Sequence, residues 1–109
     1  MDKYCVIVLD PAKDDLTEII DYISIELDAP IAAENLMNAV DNVFSRLADF
    51  PTDYSRVPDD CLAAQGYRMI VIKNYIIFYT FNEDEKTVYI ERILYGRRDW
   101  MWILRKERP

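Results

Sequence analysis

Residues 67–81 read YRMIVIKNYIIFYTF, two runs of β-branched and aromatic residues separated only by Lys73-Asn74. A parallel partner would need a crossover of a dozen or more residues, so a two-residue connection leaves an antiparallel hairpin as the sole arrangement. A third run of the same kind, Thr87 to Leu94, follows the polar turn Asn82 to Lys86. The second half of the chain is therefore expected to form a three-stranded antiparallel meander.

The first half carries a different period. Residues 3–9, KYCVIVL, are short, apolar and β-branched, which predicts a strand with Cys5 in the core. Asp10-Pro11 then reads as an N-cap followed by proline at the first helical position. Leu16, Ile19, Ile20, Ile23 and Leu27 recur at helical spacing on one face, and Asp14, Asp15, Glu18 and Asp21 suit the positive end of the helix dipole. Asp28-Ala29-Pro30 breaks this helix and starts another. Ala33, Leu36, Met37, Val40, Val43, Phe44 and Leu47 carry the second helix to about Asp49, and Phe50-Pro51 ends it. So short a break predicts an antiparallel helical hairpin. Residues 51–66 read as a loop with one helical turn near Asp59 to Ala64. Asp99 to Lys106 read as a short terminal helix or a cover for the sheet. The order β-α-α-β-β-β defines one α+β domain over residues 1–109, with the helical hairpin packed on a small, mainly antiparallel, twisted sheet.

Composition narrows the function classes. Half of the residues are apolar, as in a globular domain. Histidine is absent, and Cys5 and Cys61 lie far apart without metal-ligand spacing, so no metal site and no cofactor are expected. The longest apolar stretch, Tyr75 to Phe81, interrupted only by Thr80, is too short to span a membrane. The N-terminal apolar segment is too short for a signal peptide, which points to a cytoplasmic location. The net charge is −7, but it is unevenly spread. Residues 1–60 hold 14 acids and 4 bases, whereas Arg92, Arg97, Arg98, Arg105, Lys106 and Arg108 gather near the C-terminus. Such a chain has one basic face on an otherwise acidic molecule, which weakens the case for nucleic-acid binding without removing it.

Four segments stand in a recognisable series: the early strand with DPAKDDLTEIIDYIS, the LADFP helix end, the hairpin GYRMIVIKNYIIFYTF, and VYIERILYGRRDW. Together they resemble the RelE/ParE superfamily of toxins from bacterial type II toxin–antitoxin modules, the plasmid stabilisation family, over nearly the whole chain. The resemblance implies a growth-inhibiting toxin held silent by a cognate antitoxin protein. It implies one of two actions: ParE-like poisoning of DNA gyrase, or RelE-like cleavage of messenger RNA on the ribosome. A degenerate, non-toxic antitoxin-binding member is a third possibility. Antitoxin-covered surface also implies that the free protein exposes an apolar patch and self-associates, as a homodimer for example.

The RelE-type chemistry is metal-independent and needs cations to steady the phosphorane and a group to move the proton. Here the position corresponding to the arginine of that pattern is Ile76, and those of its lysine pair fall near Tyr67 and Met69, with Arg68 reached by a one-residue slip. The remaining catalytic candidates are Arg98, Arg68, Glu91 and Tyr95. These departures favour a ParE-like action on a protein target. Candidates for holding target or antitoxin are Arg97, Arg98, Arg92 and Trp100, since a guanidinium grips carboxylate or phosphate with bidentate bonds. Each has a packing alternative. Strand alternation puts Val88, Ile90, Arg92 and Leu94 on one face, so Arg92 is expected to pair with a helix acid such as Glu18 or Asp21. Arg68 invites a structural role too, Trp100 a packing one, and Arg98 pairing with a helix carboxylate.

Overall fold

A computed structural model describes residues 3–106. In chain order the elements are β1 (Cys5–Val8), α1 (Asp10–Asp21), a π-helical turn (Tyr22–Glu26), α2 (Pro30–Asp49), α3 (Asp60–Ala64), β2 (Arg68–Ile72), β3 (Tyr75–Asn82), β4 (Thr87–Tyr95) and α4 (Trp100–Lys106). Arg108 of the basic cluster lies outside the described residues.

The meander forms as its spacing requires. The sheet order is β1-β4-β3-β2, with β2, β3 and β4 antiparallel and β1 added parallel to β4. The helical hairpin covers one face. There Ala12, Ala33, Leu36, Val40 and Leu47 pack on Ile70, Ile77, Tyr79, Val88, Ile90 and Ile93. Burying a side chain such as Leu47 or Ile77, both 0% exposed, stabilises the fold by about 1.5–3 kcal/mol. The other face carries a smaller cluster, where Val57, Leu62, Tyr67 and Leu104 cover Ile76, Phe78 and Leu94.

Several local expectations are corrected. Cys5 is exposed rather than in the core. β1 is an edge strand whose alternate residues face out, so Val6 and Val8 pack inward while Cys5 and Ile7 do not. Asp10 does not cap α1. Leu9 is the N-cap, because its N–H still bonds the Ile90 carbonyl at 3.1 Å, and the helix starts at once with Asp10 in its first turn. The helical stripe does not run regularly to Leu27. The chain leaves α-geometry after Asp21, passes through the π-turn, and reverses at Asp28, which holds φ 49°. Leu27 is consequently exposed. The turn expected near Asp59 is α3, with the Asp59 carboxylate accepting from the Leu62 N–H at 3.0 Å.

Asp59 also receives the guanidinium of Arg105, which ties α4 to α3. The Arg105 bond, helped by the Leu62 N–H, holds the Asp59 carboxyl below its ordinary value of 3.8. A carboxylate whose pKa is depressed by folding adds stability above its ordinary pKa, and that stability is lost as pH falls through the depressed value. Asp59→Asn is therefore expected to lower the melting temperature at neutral pH and to flatten its acid fall below about pH 4, a change that melts across an acid pH series would record.

Candidate functional site

The site lies at the C-terminal end of β4, and a register shift shapes it. Phe78 pairs with Arg92 but Tyr79 pairs with Ile90, so Glu91 is an extra residue in β4. Such a bulge exchanges the faces beyond it. Ile93 joins Ile90 in the helix-side cluster, while Leu94 falls in the opposite one. The expected single face of Val88, Ile90, Arg92 and Leu94 is thus divided.

Asp15 exploits this break. Its carboxylate accepts from Arg92 Nε at 2.6 Å, from Arg92 Nη2 at 2.8 Å and from the Ile93 N–H at 3.1 Å. β1 ends opposite Ile90, so beyond that point β4 has lost its strand neighbour and an α1 side chain takes over. The acid is Asp15, not Glu18 or Asp21, because only Asp15 on α1 is buried among these three. Arg92 accordingly sits inside the fold, its side chain 13% exposed against 10% for Asp15.

The other candidates separate in the same way. Arg68 Nη1 donates to the Tyr54 carbonyl, and its guanidinium carbon lies 5.6 Å from the centre of the Phe81 ring, so it pins the 51–66 loop to the sheet. Glu91 Oε2 accepts from Thr80 Oγ1 at 2.9 Å. Trp100 packs its ring on Phe78 with centroids 5.1 Å apart. Arg97 and Arg98, in contrast, are exposed in the turn after β4, and among the described residues neither side chain enters an ion pair or hydrogen bond. The turn is held by backbone bonds, Gly96 N–H to the Asn74 carbonyl at 2.8 Å and Arg98 N–H to the Tyr95 carbonyl at 3.0 Å. A side chain at Gly96 would start 3.3 Å from that Asn74 carbonyl, which explains the glycine.

Two recesses flank this turn and meet at Asn74 and Tyr95. A smaller one, about 290 Å³, is lined by Val71, Lys73, Ile76, Gly96 and Arg97. A larger one, about 720 Å³, is lined by Glu18, Ile19, Tyr22, Leu27 and Tyr75. Tyr75 and Tyr95 meet edge to face at 5.8 Å between them. Burial, then the neighbouring Tyr95 and Tyr22, pushes the Tyr75 hydroxyl pKa up from its ordinary value. The larger recess is the part that sequence reasoning missed. Its signal was present in Tyr22, Ile25, Leu27 and Ile31, apolar residues crowded at the hairpin tip in excess of what one buried stripe accommodates. Trp102 does not plug the sheet end with Trp100: it is exposed, with the Lys106 ammonium 4.6 Å from its ring centre.

No cluster of three potential metal ligands occurs among the described residues. No helix among them is long and apolar enough to cross a membrane. The candidate site is a cationic and aromatic surface beside a tyrosine-lined groove.

The element order β-α-α-β-β-β, with a parallel first strand on an antiparallel meander, defines the fold class. Residues 6–100 match the family described as ParE toxin of type II toxin–antitoxin system, parDE, and the chain belongs to that family. Its fold is similar to a chain of the RelBE2 toxin–antitoxin complex from Mycobacterium tuberculosis, with a TM-score of 0.60 and 18% identity over 85% of this chain and 98% of that one. It is also similar to a chain of the chromosomal ParDE toxin–antitoxin system from P. aeruginosa, with a TM-score of 0.67 and 16% identity over 87% of this chain and 98% of that one. No curated protein sequence matches it significantly.

Proposed function

We propose that this toxin arrests growth by binding a protein target in the ParE manner, DNA gyrase first among the candidates, and that a cognate antitoxin masks the same sheet end. The observation that supports this reading is the fate of the candidate catalytic groups. Arg92 is locked on Asp15, Arg68 holds a loop carbonyl, Glu91 is bonded to Thr80, and Ile76 is a buried hydrocarbon. What remains exposed is Arg97, Arg98 and Tyr95, two cations and a phenol; of the acids nearby, Glu18 lines the larger recess with Tyr95, and the Asp99 carboxylate accepts from the Trp102 N–H. Such a set can grip a protein carboxylate or a phosphate, which is what a partner-binding surface requires. The two solved structures named above come from toxin–antitoxin systems, which supports an antitoxin as the second partner.

Pulse labelling after induction in a bacterial host tests the proposal. Thymidine incorporation is expected to fall before methionine incorporation, and the purified chain is expected to inhibit gyrase supercoiling while leaving ribosome-bound mRNA uncut. An early methionine collapse with cleaved mRNA would establish the RelE-type alternative, with Arg98 and Tyr95 as the catalytic groups. No effect on either label, with antitoxin binding intact, would establish a non-toxic antitoxin-binding member.

A further inference from the structure

The surface around Tyr75 and Tyr95 has two halves of opposite charge. On one side Glu18 of α1 lines the larger recess, within an exposed acidic stripe that runs from Asp14 to Asp21 at i, i+4, i+7 spacing; Asp21 borders a separate recess with Leu16, Ile20 and Met37. On the other side Lys73 and Arg97 wall the smaller recess, with Arg98 next in the chain. Among the described residues no ion pair within the chain engages any of these six. Between the halves lie Tyr22, Leu27, Tyr75 and Tyr95, and the apolar surface extends over the hairpin tip to Ile25 and Ile31, which are 71% and 73% exposed.

We propose that this surface docks onto a second copy of the chain, groove to groove about a two-fold axis. The charge order carries the argument. A two-fold axis through the Tyr75–Tyr95 centre lays the acidic stripe of each copy on the basic rim of the other, so one operation satisfies both contacts. A foreign partner would have to supply both charges in the right order, whereas this chain already holds its own complement. The apolar middle provides the attraction, and the flanking charges set the orientation. Docking hides Arg97, so the paired form is a stored state from which a target or an antitoxin must displace one copy. The self-association that the family resemblance implies is thereby assigned to a particular surface and charge order, and it does not depend on which target the toxin reading names.

Sedimentation of the purified chain over a concentration series tests it. A monomer–dimer equilibrium is expected, weakened by added salt. Glu18→Lys and Arg97→Glu each place like charges at both contacts of the dimer, and each is expected to weaken it at least about tenfold. Mixing the two variants is the decisive step. The introduced lysine then faces the introduced glutamate, and the native Glu18 and Arg97 still face each other, so a heterodimer of near wild-type affinity is expected. A strictly monomeric wild type overturns the proposal, as does a dimer indifferent to both reversals or a mixture that stays monomeric. If either reversal unfolds, seen as lost far-ultraviolet dichroism, the salt series on the wild type decides, and a salt-insensitive dimer overturns it.

Discussion

Asp15→Ala is expected to destabilise the protein by about 3–5 kcal/mol, a large part of the total stability of a small domain. The loss has two sources. Arg92 would keep its charge in a largely buried position without its carboxylate, and the Ile93 N–H would lose the acceptor that replaces a strand neighbour. Arg92→Ala is expected to cost a similar amount, since it leaves Asp15 as the uncompensated ion. The double replacement should cost clearly less than the sum, because the pair shares one interaction. Urea unfolding of the four proteins reads this cycle directly; additive losses would mean that the two residues act through separate contacts.

Arg97→Ala with Arg98→Ala is expected to do the opposite: leave stability within about 0.5 kcal/mol and abolish growth arrest. Both side chains are exposed and hold nothing in the fold, so truncation removes only what they do for a partner. An arginine at the centre of an interface contributes about 2 kcal/mol or more, roughly 30-fold in affinity for each. Colony counts after induction, paired with melting curves, separate this outcome from a folding defect. Undiminished toxicity in a folded double variant would move the target contact elsewhere, and the tyrosine-lined groove would be the next place to probe.

The periodicities carried most of the architecture, because each is local. The Lys73-Asn74 spacing, the two proline-opened helices and the turn at Asn82–Lys86 dictate the meander and the hairpin without help from the rest of the chain. What was illegible depends on contacts distant in sequence. The extra residue Glu91 cannot be seen in an unbroken β pattern, yet it moves Ile93 and Leu94 to opposite faces. The partner of Arg92 could be narrowed to an acid of α1, but choosing Asp15 over Glu18 required knowing where β1 stops. Cys5 was misplaced for the related reason that an edge strand does not bury both of its faces. At the site, Arg97 and Arg98 were legible as an oddity of charge, whereas the larger recess exists only because the hairpin tip and the β2–β3 turn come together.

The parallel pairing of β1 with β4 sets an order of events during synthesis. β1 has no other neighbour in the sheet, and its partner residues begin at Thr87. Until β4 has left the ribosome, the first strand has nothing to pair with, and Asp15 lacks a guanidinium 77 residues further on. Closing so long a loop is slow compared with forming the helical hairpin or the β2–β3 hairpin. The surface bearing Arg97 therefore forms only after β4 has emerged. A product that stops before Thr87 would carry the acidic helical hairpin without the strand that places Arg92 and Arg97.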